Sequence, residues 1–251
     1  MIRSILPFKA TSLLLGMLTL ILFVSFSGCS TLQQQDRLQR EQDLAQRAVK
    51  ELLLIALPRI QSYKTPETWI SASSSSLIPA GAGTIVQNLK VIPGLSGYIN
   101  HYLEIARQLL EAAIKESLSE MIDLASSATF TNPLQIVRGS SNEATMAFKA
   151  INEDRFATMF ETYFKEHVEL QDSWSAIIRQ YNLYAETKNQ LASLTDSEEI
   201  ETLDIPIIDH IVGISINQFT STLALQEVYI RSIAGSYDSA PLQMFATTGR
   251  P

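Results

Sequence analysis

Cysteine is nearly absent from this chain of 251 residues, since Cys29 is its only one. Without a second cysteine the chain can form no internal disulfide. Histidine is scarce as well, because only His101, His167 and His210 occur and they are far apart in the sequence. Such scattered histidines favour no metal site, and neither a Ser-x-x-Lys nor a Gly-x-Ser-x-Gly nucleophile pattern occurs. The sequence therefore predicts no catalytic, cofactor-binding or metal-ligating residues.

Basic residues are in the minority, with 19 Lys and Arg against 26 Asp and Glu. Residues 1–28 hold two of the basic residues and none of the acidic ones, so the rest of the chain has 17 basic and 26 acidic residues, a net charge of −9. Nucleic acids and anionic lipid surfaces attract basic protein surfaces. The charge therefore argues against a nucleic-acid partner and against electrostatic docking onto a membrane.

The N-terminus has the pattern of an export signal. Two basic residues precede an apolar run from Leu13 to Val24, and small residues follow. The sequence Ser27-Gly28-Cys29 resembles the cleavage site of bacterial lipoproteins, in which a peptidase cuts before a cysteine that carries acyl chains such as palmitate. Phe26 stands where that family usually has leucine. We predict cleavage between Gly28 and Cys29, with lipid attached to Cys29 as the membrane anchor.

Two other interpretations of this region stay open. Residues 10–28 could remain as an uncleaved membrane helix, although their strongly apolar part is shorter than a span requires. Alternatively, Cys29 could be an ordinary buried thiol. Ser30 follows the modified position, whereas Gram-negative lipoproteins that stay at the inner membrane commonly have aspartate there. The resemblance therefore implies the periplasmic face of the outer membrane.

Helical periodicity dominates the rest of the chain, and no segment alternates with a period of two over a useful length. The predicted helices span 37–57, 98–125, 132–139, 143–168, 172–191 and 205–234. The segment 62–98 is rich in Pro, Gly and Ser, which predicts loops and short helices. We therefore predict an all-α, irregular multi-helix bundle of about five to seven helices that follows a signal peptide.

The predicted domain organisation has four parts. A lipoprotein signal peptide covers 1–28, the lipidated cysteine and a short polar tether cover 29–36, a single helical domain covers 37–236, and a C-terminal tail, predicted to be irregular, covers 237–251.

Several residues predict where the helices end and which face they bury. Pro58 should end or kink the first helix. Ser140 and Glu143 have the spacing of a capping box, in which the Ser140 hydroxyl oxygen accepts a hydrogen bond from a helix amide. Asp172 is a candidate cap for the next helix. The predicted apolar faces include several residues near helix ends, namely Leu38, Met146, Ala150, Val168 and Leu191.

Aromatic residues are concentrated between residues 148 and 184. One interpretation is core packing between two adjacent helices. The other is an apolar groove that binds a lipid or a partner helix. The candidate groove residues are Phe156, Phe160, Phe164, Trp174 and Tyr181.

Three stretches carry a resemblance to a known family. The first, 123–148, contains Gly139 and the run Glu143-Ala144-Thr145; the second, 174–182, contains Tyr181-Asn182; the third, 209–231, ends in Glu227-Val228-Tyr229-Ile230-Arg231. They resemble the domain-of-unknown-function 4197 family of exported Gram-negative helical proteins over about residues 85–235. That family has a Gly-Gly-x-x-Ala-Ala-Thr segment, a Tyr-Asn pair and a closing Glu-Glu-x-x-Ile-Arg pattern. The resemblance implies export and a helical fold, and it supplies no mechanism.

Two classes of function are consistent with these observations. The first is a membrane-anchored envelope lipoprotein of unknown molecular activity, whose helical domain is a non-enzymatic binding or structural module with an envelope protein or a lipid as its partner. The second is an envelope hydrolase with an unrecognised carboxylate site. The absence of a catalytic motif favours the first, with no cofactor, and we expect the protein not to be an enzyme.

Overall fold

The structure is a computed structural model that describes the backbone of residues 10–62, 76–195 and 198–248. Side chains are described for residues 33–61, 76–193 and 198–246. The α-helices are α1 (Ala10–Ala56), α2 (Gly83–Gln87), α3 (Leu95–Glu116), α4 (Leu118–Ser127), α5 (Pro133–Arg138), α6 (Glu143–Glu166), α7 (Val168–Thr195), α8 (Ile208–Ser232) and α9 (Ala240–Thr248). Short 3-10 helices lie at Leu57–Ser62, Ala80–Ala82 and Ala234–Ser236.

The predicted all-α class is confirmed, since the described residues contain helices and turns and no strand. Five helices, α1, α3, α6, α7 and α8, have more than 20 residues each and form the framework of the bundle. Helix α6 packs along α8, α3 packs along α7, and α1 contacts α4, α5, α8 and α9. Their inward faces form one apolar core that extends from Ala45 to Phe245.

Helix α1 begins earlier than predicted. The predicted polar tether at 30–36 is part of this helix, because the stretch contains neither proline nor glycine and has three consecutive Gln residues, which form helices readily. The prediction for Pro58 is confirmed, since α1 ends at Ala56 and the chain continues as a 3-10 turn. Leu38, which was predicted to face inward, is 52% exposed, whereas Ala45 and Val49 are fully buried.

The segment 98–125 was predicted as one helix, and the structure divides it into α3 and α4. The division lies at Ser117, whose ψ angle of −10° departs from the helical value. Helix α3 packs on α7 and α8, while α4 packs on α1 and the 3-10 turn after it. The chain therefore bends so that the two halves can bury their apolar faces against different neighbours. Before α3, Gly94 adopts a positive φ of 78°, which a residue with a Cβ rarely does.

The division between α6 and α7 also differs from the prediction. Helix α7 begins at Val168, so Asp172 lies inside it and caps nothing. Val168 is 61% exposed and Met146 is 47% exposed, and Ala150 and Leu191 are exposed as well. The buried face of α6 instead continues through Phe148 and the polar residue Asn152. The sequence pattern predicted only apolar residues on the buried face of α6. That prediction was wrong at Met146 and Ala150, because the buried face includes the polar side chain of Asn152.

The C-terminal segment 237–251 was predicted to be irregular, and the structure has helix α9 there. Leu242 and Phe245 are buried, and α9 packs on α1 and α5. The segment is short and weakly amphipathic, so its helix depends on the surface that receives it.

Candidate functional site

The five residues predicted as a possible groove belong to the core. Phe156, Phe160 and Phe164 are fully buried, and Trp174 and Tyr181 are 3% and 2% exposed. The ring of Phe156 packs edge-on against Phe148 and Phe219, with centroids 5.5 and 5.2 Å apart. The groove interpretation of these residues is therefore wrong, because neighbouring helices cover them. Trp174 also borders a surface cleft, described below.

The predicted lipid-attachment residue, Cys29, lies on the helical backbone of α1, and its side chain lies outside the described residues. Among the residues that are described, no helix is both long enough and apolar enough to cross a membrane. The same residues contain no cluster of three or more His, Cys, Asp or Glu that could hold a metal ion. His167 and His210 each contact a backbone carbonyl oxygen, of Tyr163 and Ser76 respectively.

A buried ion pair links the ends of two helices, and we call it the helix junction: Glu227 and Arg231, one turn apart on α8. Both side chains are almost inaccessible, with exposures of 0% and 10%. The two carboxylate oxygens of Glu227 accept hydrogen bonds from the backbone N–H groups of Ala144 (3.0 Å) and Thr145 (2.7 Å). These amides belong to the first turn of α6, where N–H groups have no partner within the helix and favour negative charge.

Arg231, the cation of the helix junction, binds carbonyl oxygens at the C-terminal end of a helix, whereas Glu227 binds N–H groups at an N-terminal end. Arg231 donates to the carbonyl oxygens of Ile136 (3.0 Å) and Val137 (3.1 Å) in the last turn of α5, and to Glu227 at 2.8 Å. Its guanidinium also lies over the ring of Phe245, 4.4 Å from the centroid. One ion pair thus provides hydrogen-bond partners for the last carbonyl groups of α5 and the first N–H groups of α6, and it contacts α9 as well.

The predicted capping box at Ser140 is wrong. The Ser140 hydroxyl donates to the Glu143 carboxylate at 2.8 Å, and the N-cap residue of α6, Asn142, makes no side-chain cap hydrogen bond. Glu227, 83 residues away, takes the first-turn amides instead. Gly139 completes the turn between α5 and α6, because a Cβ at this position would lie 2.9 Å from both the Gln135 carbonyl oxygen and Glu143 Cγ.

A second region holds a non-helical segment against the side of α7. We call residues 198–207, which connect α7 to α8, the strap. Asn189 donates to the Ile200 carbonyl oxygen at 2.8 Å and accepts from the Ile200 N–H at 2.7 Å. Asn182 makes the same pair of bonds with Leu203, both at 2.8 Å. The Trp174 indole N–H donates to the Ile205 carbonyl oxygen at 2.6 Å. These three side chains bind the backbone of the strap.

The spacing of these contacts indicates that the strap is extended. Asn182 and Asn189 are seven residues apart on α7, a rise of about 10.5 Å. The residues they hold, Ile200 and Leu203, are three apart, and an extended backbone with three residues per turn rises about 9.3 Å over that distance. The two distances agree to about 1 Å, so the strap between Ile200 and Leu203 runs alongside α7 with an extended backbone.

A cleft with a volume of about 710 Å³ lies between α7 and the end of the strap. Its walls combine polar and apolar side chains from α7 with residues 204–208. The α7 residues that line it are Gln171, Trp174, Ser175, Ile178, Arg179, Asn182, Leu183 and Glu186. Leu183 is 57% exposed at this position. The cleft is open to solvent, in contrast to the helix junction.

Comparison with known families identifies the chain. Residues 39–240 match the family described as Protein of unknown function (DUF4197). The chain belongs to this family. No curated protein matches the chain, and no solved structure matches it either.

The stretches that carry the family resemblance meet in the two regions described above. Glu227 and Arg231, from the Glu-x-x-Ile-Arg pattern, form the helix junction with the amides of the Ala144-Thr145 pair. Asn182, from the Tyr-Asn pair, holds the strap. The sequence pattern drew attention to these residues without indicating their contacts. Asn189 was missed, since a lone asparagine on a polar helix face carries no distinctive local signal.

Proposed function

We propose that this protein is an envelope lipoprotein, held to the periplasmic face of the outer membrane by lipid on Cys29, whose helical domain is a non-enzymatic binding module. The observation that carries the proposal is the sequence Ser27-Gly28-Cys29, which follows an apolar run and contains the only cysteine of the chain. A thiol in this position is the acceptor that lipid attachment requires, and the small residues before it suit a signal peptidase.

Charge and chain geometry support anchoring through acyl chains. After residue 28 the chain has a net charge of −9, which opposes binding to anionic lipid. Each methylene of an acyl chain buried in the bilayer contributes about 0.8 kcal/mol, and two or more chains give stable attachment. Residues 33–40 are all exposed on α1, and burial in the core begins further along, as at Ala45. A helix from Cys29 to Ala45 would hold the core about 24 Å from the anchor.

The cleft beside α7 supports a binding role for the domain. It is open, and its walls mix exposed apolar surface, such as Leu183, with polar side chains, which is the usual character of a recognition site. The buried carboxylate of Glu227 has both oxygens occupied by backbone amides, so its placement serves the fold.

The anchor is tested by labelling cells that express the protein with radioactive palmitate and then separating their membranes. The unchanged chain should take up label and fractionate with the outer membrane. Cys29→Ser should take up none and should keep residues 1–28, because the peptidase of this pathway cuts before a lipidated cysteine, while Ser30→Ala, the matched control, should behave as the unchanged chain. Ser30→Asp should move the protein to the inner membrane. Label on Cys29→Ser, or absence of label on the unchanged chain, would refute the lipid anchor.

A further inference from the structure

Helix α7 already recognises an extended polypeptide backbone within this protein. Asn182 and Asn189 each bind both the N–H and the C=O of one strap residue, and Trp174 binds a third carbonyl oxygen. These bonds are made with backbone groups, so they depend on the conformation of the bound segment more than on its side chains.

The side of α7 that faces the cleft has the same kind of groups. Gln171, Ser175 and Arg179 lie four residues apart, so they form one row along the helix. They offer an amide, a hydroxyl and a guanidinium to a segment that would lie between α7 and the strap. From Gln171 to Glu186 the cleft follows about 22 Å of helix, the length of six or seven extended residues.

The character of the cleft limits what can occupy it. Polar side chains from both walls, including Arg179, Glu186 and Asp204, alternate with apolar ones. An acyl chain has no hydrogen-bonding groups, so it would leave these polar groups without water or partners. A polypeptide backbone offers donors and acceptors at regular intervals, and its side chains can cover Leu183 and Ile178. The acidic balance of the chain favours a neutral or basic segment.

We propose that this cleft binds a neutral or basic polypeptide segment of a partner protein in extended conformation, alongside the strap. This inference rests on the proposed binding role and names its ligand class. It is independent of the lipid anchor, because anchoring is measured at Cys29 and binding is measured at the cleft.

The test uses the mature chain, residues 29–251 with Cys29→Ser, exported behind a signal peptide whose removal needs no lipid, and a fluorescent nonapeptide. The peptide has the sequence of residues 200–208 with lysine at its two acidic positions, so it can adopt the extended conformation that α7 holds in the strap. Fluorescence polarisation should show saturable binding with a Kd at or below about 1 mM. Absence of binding at that concentration would overturn the proposal.

Matched variants locate the binding. Ser175→Trp fills the cleft from an exposed position on α7 and should weaken binding at least about tenfold. Thr187→Trp adds the same side chain at another exposed position of the same helix, outside the cleft, and should leave the Kd unchanged. Equal affinities for the two variants would place the peptide elsewhere, for example in exchange with the strap, and would refute the proposal.

Two further measurements separate backbone recognition from apolar contact. A peptide with the same side chains and N-methylated alternate amides should bind at least about tenfold more weakly, because it has lost backbone donors. Vesicles of phosphatidylethanolamine and phosphatidylglycerol should neither bind the chain nor displace the peptide. Equal affinity of the methylated peptide, or displacement by the vesicles, would contradict the proposal and favour a lipid or a non-specific apolar ligand.

Discussion

The helix junction and the strap solve a similar problem with different chemistry. In each region, side chains of one long helix form hydrogen bonds with backbone groups of a different segment of the chain. The helix is α8 at the junction and α7 at the strap. The junction uses a buried ion pair, with Glu227 and Arg231 withdrawn from water. The strap uses the neutral amides of Asn182 and Asn189, which are partly exposed. A buried charge is costly once its partner is removed, whereas water can replace an exposed amide. The junction should therefore control global stability, and the strap should control a local segment.

The largest expected effect follows from removing the cation of the junction. Arg231→Met leaves the Glu227 carboxylate buried without its counter-charge and removes the guanidinium hydrogen bonds to the carbonyl oxygens of Ile136 and Val137. We expect a loss of about 3–5 kcal/mol in the free energy of unfolding, measured with urea. Arg179→Met, the same change in the open cleft, should cost less than about 0.5 kcal/mol. Similar losses for the two variants would remove the distinction between the regions.

A smaller effect is expected from adding one methyl group at the turn next to the junction. Gly139→Ala would place a Cβ 2.9 Å from a backbone oxygen and from Glu143 Cγ, so the turn must shift. We expect a loss of about 1–3 kcal/mol in urea unfolding. Gly213→Ala, within α8, meets nothing within 4 Å and should stabilise the protein by about 0.5–1 kcal/mol. A neutral Gly139→Ala would show that the turn is not held tightly by the junction.

Loss of the hydrogen bonds that hold the strap should unfold the strap alone and leave the core folded. Asn182→Ala removes two hydrogen bonds to Leu203 and should cost about 1–2 kcal/mol. Limited proteolysis should then cut within 198–207 faster than in the unchanged chain, while the core stays intact. Thr187→Ala, on the same helix and outside the strap contacts, is the control. Accelerated cleavage throughout the domain would mean that the strap supports the whole fold.

The smallest loss of unfolding free energy at neutral pH is expected when Tyr102 is substituted. This residue lies close to both α7 and the segment before α2. Its hydroxyl donates to the Leu77 carbonyl oxygen at 2.5 Å, and its ring packs on Trp174. Burial raises the pKa of Tyr102 far above its ordinary value, so the folded protein keeps the hydroxyl protonated. The unfolded chain ionises near pH 10, and the stability present below that pH should fall as the pH rises further, by up to about 1.4 kcal/mol per pH unit.

Tyr102→Phe should therefore cost about 1 kcal/mol at pH 7, through the lost hydrogen bond, and should make the decline above pH 10 shallower. Urea unfolding between pH 7 and 11 measures both quantities. Tyr98→Phe, at a position that is 43% exposed, should change neither. An identical alkaline decline in Tyr102→Phe and the unchanged chain would contradict the assignment to Tyr102.

Much of the fold was predictable because helix formation and amphipathic burial leave a local pattern. The helices around Leu110, Phe160 and Phe219 follow from apolar spacing of three and four residues. The breaks at Ser117 and His167 have no comparable local signal, because the packing partners of the flanking helices determine them. The aromatic cluster could be located from the sequence, but only the neighbouring helices decided that it is core.

The sequence by itself determined the all-α class, the family and the prediction of a lipidated Cys29, since each of these depends on residues that are near one another in the chain. Only the tertiary structure decided that Glu227 caps α6 from 83 residues away, and that Asn182 and Asn189 hold the strap. A hydrogen bond needs its donor and acceptor close together in space. The separation of two residues along the chain does not reveal whether folding will bring them together.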